Sequence, residues 1–147
     1  MKILANNKRA NYDYFLEDKF EAGIVLSGSE VKSIKNAQLS LAEAYVDIIN
    51  NEVYLREMHV AQYREANQFN HTEVRNRKLL LNKREINKLM GSVSQAGYTI
   101  VPTKVYVKHG MIKVEIALAK GKANYDKRET IKKREVDREL RARLKQY

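Results

Sequence analysis

Apolar and polar residues alternate most cleanly over residues 111–119, where Ile112, Val114, Ile116 and Leu118 share one face of a strand and Lys113 and Glu115 the other. A second strand over 99–108 precedes it across His109-Gly110, a two-residue turn that reads as a hairpin. Residues 45–49 and 52–58 flank Asn50-Asn51 in the same way, since Asn tolerates positive φ. An earlier strand over 20–26 carries Gly23 in its interior, which points to a bulge or a close backbone approach. Ser29 is the expected cap of a short helix over 30–37, with Val31 and Ile34 turned inward. A stronger helix starts at Asn82, with Glu85 completing a capping box. Ile86, Leu89, Met90 and Val93 form its apolar stripe, and Gly97 ends it. Residues 62–76 are polar and patternless, a long loop. Two hairpins and the early strand imply an antiparallel sheet with one solvated face. Five or six short strands with a helix interposed suit a mainly β fold, an OB-type small closed barrel with peripheral helices.

Charge changes the picture. The 147 residues include 28 Lys+Arg against 18 Asp+Glu, a formal net charge of +10, with a sequence pI near 9.7 and a mean hydropathy of −0.59. Residues 120–147 hold 11 Lys+Arg and 5 Asp+Glu, so about one-fifth of the chain carries more than half of the excess. Its thin apolar component is Ile131, Val136, Leu140, Leu144 and Tyr147, and the last four form one narrow stripe. Such a stripe does not hold a short helix in water. The division is therefore a barrel over 1–119 and a basic tail over 120–147. The tail is either disordered when free and helical on a charged partner, or a surface helix docked by that stripe. The chain has no cysteine, which excludes disulfides, Cys-based zinc sites and thiol nucleophiles. No apolar run is long enough for a signal peptide or a membrane span, so a soluble cytoplasmic chain is expected.

Catalytic chemistry finds no constellation. His59, His71 and His109 lie at a strand end, a loop and a turn, without metal-site spacing. Gly121-Lys122 lacks the upstream glycine of a phosphate loop, and Ser27-Gly28-Ser29 lacks a nucleophile-elbow pattern. No enzyme, metal or cofactor is expected. An anionic partner is, and nucleic acid comes before membrane, because the tail stripe lacks the Trp/Phe/Leu density of interfacial helices. Lys8-Arg9 precedes Tyr12, Tyr14 and Phe15; Arg75, Arg77 and Lys78 cluster before the helix; Lys104, Lys108 and Lys113 decorate the solvated sheet face. Cations interleaved with aromatics suit folded or single-stranded RNA. Tyr12, Tyr14 and Phe15 serve equally well as core.

Several motifs occur in order along nearly the whole chain: Asn7-Lys8-Arg9-Ala10 with Tyr14-Phe15, Phe20-Glu21-Ala22-Gly23, and Gly28-Ser29-Glu30-Val31-Lys32-Ser33. Arg77-Lys78-Leu79-Leu80-Leu81 follows, then Ala119-Lys120-Gly121-Lys122 with Tyr125-Asp126-Lys127-Arg128. Together they closely resemble small protein B, the bacterial SsrA-binding protein family. The resemblance implies a non-enzymatic partner of transfer-messenger RNA that acts in trans-translation, the rescue of stalled ribosomes. It places Asn7, Glu21, Leu80 and Lys113 at positions tied to RNA binding by the barrel, and Lys8, Arg9, Arg77 and Lys78 are expected to bind RNA with them. Lys113 would neutralise phosphate. Glu21 would accept from a base or a 2′-OH, or orient a cation. Leu80 is either a contact or core. The resemblance sends the tail to the decoding centre formed by 16S rRNA and into the empty message channel. There Tyr125 would stack on a base, Asp126, Lys127 and Arg128 would anchor a turn, and Lys120, Gly121, Lys122, Lys132, Lys133 and Arg134 would serve ribosome binding. It further implies a monomer that meets elongation factor Tu indirectly through the RNA. The competing reading is a generic OB-type RNA binder without preference for transfer-messenger RNA.

Overall fold

Both expected two-residue turns are present, with Asn50 and Asn51 at φ 52° and 63° and His109 and Gly110 at φ 53° and 77°. Left-handed backbone at both central positions matches the twist of the strands that such turns join. They connect β4 (Tyr45–Ile49) to β5 (Glu52–Arg56) and β8 (Tyr98–Lys108) to β9 (Met111–Gly121). The computed structural model describes residues 1–63, 70–95 and 97–122.

Around these hairpins lie β1 (Lys2–Asn6), β2 (Tyr14–Ile24) and β7 (Arg77–Leu80), and the seven strands form one antiparallel sheet in the order β1-β8-β9-β2-β7-β5-β4. Two-residue strands β3 (Leu39–Ser40) and β6 (His59–Val60) pair separately. Three helices complete the described chain: α1 (Ala10–Asp13), α2 (Gly28–Lys35) and α3 (Lys83–Val93). The fold is mainly β, as expected, with more strands than the pattern suggested. β1 has no alternation strong enough to mark it, and β2 begins six residues early because a bulge between Leu16 and Lys19 breaks its period.

The expected closure of the barrel is not made. The sheet curls until β4 lies against β8, yet β1 and β4 remain its end strands. A small cleft lined by Val46, Ile48, Val93, Tyr98 and Ile100 lies where β4 meets β8. Inside the curl, Ala22, Val53, Leu55, Leu79, Val114 and Ile116 form the core, which Ile34 and Leu89 complete from α2 and α3. Ala10, Val101 and Ala119 make a second, smaller cluster, with Tyr14 and Leu16 packed on it, so the outer face is covered at that end rather than solvated.

Both long helices begin with capping boxes. Asn82 and Glu85 form the expected one at α3, but α3 stops at Val93, short of Gly97, whose φ of +87° serves the entry to β8. At α2 the cap is Ser27, whose hydroxyl accepts from the Glu30 N–H while Glu30 accepts from the Ser27 N–H. Ser29, the expected cap, instead bonds His71 Nδ1 at 2.8 Å, and His71 Nε2 meets the Val60 carbonyl at 2.9 Å. His71 thereby pins part of the loop to α2 and β6.

Candidate nucleic-acid interface

Register decides which side chains share the outer face. Gly23 of β2 stands opposite Lys113 of β9 on one side and Leu80 of β7 on the other, while Lys113 stands opposite Tyr106 of β8. Two residues along each strand, and so on the same face, Glu21 lies opposite Glu115 and Glu115 opposite Lys104. Three of the positions singled out in the sequence, Glu21, Leu80 and Lys113, therefore meet on one surface although 92 positions separate the first from the last.

Gly23 is what lets Leu80 lie there. A Cβ at Gly23 would sit 3.3 Å from Leu80 Cβ, a contact tight enough to displace the neighbour. Leu80 is 52% exposed, which resolves it as a surface residue, and Met111 beside the hairpin turn is 62% exposed. Both line a groove of about 340 Å³ with Gly23 and Val31 in its wall and the cations Lys35 and Lys113.

The electrostatics of this face are mixed rather than uniformly basic. Glu21 accepts from Lys108 Nζ at 3.3 Å. Burial raises the Glu21 carboxyl pKa, but the hydrogen bond and charge of Lys108, a hydrogen bond from Tyr106 and the charge of Lys113 outweigh that and hold it below its ordinary value. Glu21 is thus a carboxylate that anchors Lys108 and feels the charge of Lys113. Burial, followed by the Glu21 charge, pushes the Tyr106 phenol up to about 12, so it stays a neutral donor. Lys104 lies over the Tyr106 ring at 5.6 Å. Tyr106, Met111 and Lys35 were not singled out from the sequence; the alternation of β8 carried the signal for Tyr106, in phase with Lys104 and Lys108.

Asn7 is tied to the scaffold at the end of β1, its Nδ2 donating to the Pro102 carbonyl at 2.8 Å and its N–H to the Thr103 carbonyl at 2.8 Å. Lys8 and Arg9 follow it into solvent, with Arg9 3.5 Å from Asp13 and 5.9 Å from the centre of the Tyr12 ring. Lys78 points outward and donates to Glu52 at 3.1 Å. Arg77 does not belong with these residues. It shares the inward phase of Leu79 and is 0% exposed, bonding Glu30 through Nε at 2.5 Å and the Met58 carbonyl through Nη1 at 2.7 Å. A guanidinium held inside the core cannot reach a phosphate, so its expected RNA role is replaced by a structural one.

Lys120 and Gly121 are the last residues of β9, and Lys122 donates to the Asn11 carbonyl at 2.7 Å. The first three tail residues are therefore attached to the body. Tyr125, Asp126, Lys127, Arg128, Lys132, Lys133 and Arg134 lie outside the described residues, as does the question of whether the tail is helical. Among the described residues no group of three His, Cys, Asp or Glu side chains is placed to hold a metal ion, and no helix is long and apolar enough to cross a membrane.

These features define a mainly β protein that carries a mixed-charge, lysine-rich outer sheet face. More particularly, the chain belongs to the SmpB protein family, whose sequence model matches residues 4–146. It is 52% identical over 146 residues to the SsrA-binding protein of Thermoanaerobacter pseudethanolicus, covering 99% of this chain and 94% of that one. To the SsrA-binding protein of Geobacillus kaustophilus it is 50% identical over 139 residues, covering 95% and 90%. A similar solved structure is described as "tmRNA-SmpB: a journey to the center of the bacterial ribosome"; the TM-score is 0.68 at 37% identity, covering 86% of this chain and 93% of that one.

Proposed function

We propose that this protein binds transfer-messenger RNA through the outer sheet face and delivers it to stalled ribosomes in trans-translation. The observation that carries the reading is the register that draws Glu21, Leu80 and Lys113 from three strands onto one exposed face. Lysines there supply phosphate affinity. The groove under Leu80 and Met111 offers an apolar surface to an unpaired base, and the anchored Glu21 offers an acceptor for an amino group or a 2′-OH. Relatives that are SsrA-binding proteins, and a structural neighbour solved as tmRNA-SmpB, support the choice of RNA. The curled sheet suits an OB-type scaffold. In this reading the protein is a cytoplasmic monomer without enzymatic activity, and it meets elongation factor Tu only through the RNA. The basic tail, with Tyr125 to Arg128 and Lys132 to Arg134, enters the decoding centre and the empty message channel.

A salt-series titration against the tRNA-like domain of transfer-messenger RNA, with elongator tRNA as competitor, tests the first half. Tight binding that survives the competitor is expected; equal binding to both RNAs, lost together as salt rises, would reduce the interaction to net charge. The second half calls for a truncation after Lys122, because a cut at 119 would remove the Lys120 and Gly121 pairings with Tyr98, Phe15 and Tyr14. Such a truncation is expected to keep its affinity for the tRNA-like domain and to lose ribosome rescue in a reconstituted translation assay. A parallel loss of RNA affinity would show that body and tail do not divide the work.

A further inference from the structure

The two exposed apolar residues of the groove, Leu80 and Met111, differ in chemistry. Leucine is inert, whereas the thioether of Met111 carries sulfur lone pairs that react with peroxides. Met111 is the first residue of β9 and stands directly opposite Lys108 of β8. It precedes Lys113 by two positions, so both project from the outer face of the sheet. With Leu80, Gly23, Lys35 and Lys113 it lines the groove of about 340 Å³.

Exposure and position together set Met111 apart from the other three methionines. Met58 is fully buried in the core, beyond the reach of a dissolved oxidant. Met90 is half-buried on α3. Met1 is exposed, but it precedes β1 and does not line the groove. Met111 is therefore the methionine at which an accessible sulfur and the proposed RNA surface coincide.

We infer that Met111 is a redox modification site, and that its conversion to the sulfoxide by a peroxide weakens the hold of the outer face on RNA. The inference rests on the RNA-binding reading above. In the step itself, a sulfur lone pair attacks one oxygen of the peroxide; the S–O bond forms as the O–O bond breaks. With hydrogen peroxide the other oxygen leaves as water once the proton has moved to it. The sulfur is oxidised by two electrons and the peroxide reduced by two. The product turns an apolar wall of the groove into a polar one. A base laid against it must strip water from the S–O oxygen, and the face of a base has no donor to give in return. The sulfoxide is neutral, so the lysines of the face keep their charge. Reduction by a sulfoxide reductase that oxidises two thiols to a disulfide returns the thioether and releases water.

The test treats the full-length chain with dilute hydrogen peroxide, follows the added oxygen at Met111 by peptide mass spectrometry, and titrates the product against the tRNA-like domain. Affinity is expected to fall about tenfold, the size expected for one polar group dehydrated without a partner. The slope of log K against log salt should stay as it was, because no charge is lost. Methionine sulfoxide reductase with a dithiol should restore the affinity. Met111→Leu keeps Met1, Met58 and Met90 and is compared only with itself before and after peroxide, where no difference is expected. An equal peroxide effect in that variant would place the sensitive group elsewhere and overturn the site. So would Met111 staying reduced while Met58 is oxidised. A native chain that prefers the tRNA-like domain to elongator tRNA, and binds it as tightly with Met111 oxidised, overturns the switch alone. A native chain without that preference overturns the RNA reading and the switch together.

Discussion

Glu30→Ala is expected to destabilise the fold by about 3–5 kcal/mol, the cost of leaving a buried charge without its partner. Glu30 and Arg77 are both 0% exposed. Glu30 joins Arg77 at 2.5 Å and Arg75 at 2.5 Å, and it also accepts from the Ser27 N–H at 2.9 Å. One carboxylate thus caps α2 and neutralises the arginine that braces β7 against the Met58 carbonyl. Burial raises its pKa, but the hydrogen bonds from Arg75, Ser27 and Arg77 and the Arg77 charge win and bring it from 4.5 to about 2. A carboxylate depressed in this way stabilises the folded state fully above about pH 4.5, and the contribution is lost as pH falls toward 2. Urea melts should accordingly show the gap between the native chain and the alanine variant narrowing over that window. Replacing Glu30 by Leu together with Arg77 by Met should recover part of the loss, since an apolar pair removes the stranded charge but leaves the Met58 carbonyl without its donor. A single alanine variant as stable as the native chain at pH 7 would refute the bracing role.

That cluster also marks the limit of what local sequence pattern encodes. Local periodicity and turn chemistry were readable: the Asn50-Asn51 and His109-Gly110 hairpins, the Asn82 capping box, and the inward row from Ile112 to Leu118 are all set by neighbours within a few residues. The S-x-x-E spacing from Ser27 to Glu30 carries the same kind of signal for α2 and favours Ser27 over the expected Ser29. Arg77 looks like a surface cation in the sequence because its partner lies 47 positions upstream, and only tertiary packing reveals a buried pair. Its phase with Leu79 was the available clue. The outer face was half visible. Lys104, Lys108 and Lys113 followed from alternation, and the family resemblance marked Glu21 and Leu80. Their meeting depends on β2 pairing with both β7 and β9, a long-range register that no local pattern encodes. Closure failed for a related reason: strand number says nothing of whether the last ladder forms.

Lys113 and Glu21 should separate affinity from specificity on that face. Lys113→Ala removes one cation from the middle of the sheet without touching the core, because the side chain is partly exposed and faces outward. If it neutralises one phosphate, affinity for the tRNA-like domain should fall about tenfold near 0.1 M salt, and the slope of log K against log salt should shrink by about 1. Glu21→Gln should behave in the opposite sense toward unrelated RNA. A carboxylate on a polyanion-binding face repels every phosphate that is not replaced by a donor, so it penalises wrong partners more than the right one. Neutralising it should strengthen binding of elongator tRNA while the preference for transfer-messenger RNA declines, with the amide still able to accept from Lys108 and Tyr106. The measurement is the ratio of the two dissociation constants at one fixed salt concentration. A ratio unchanged in the glutamine variant would leave Glu21 as a scaffold for Lys108 alone. A salt slope unchanged in the alanine variant would move the phosphate contact off Lys113.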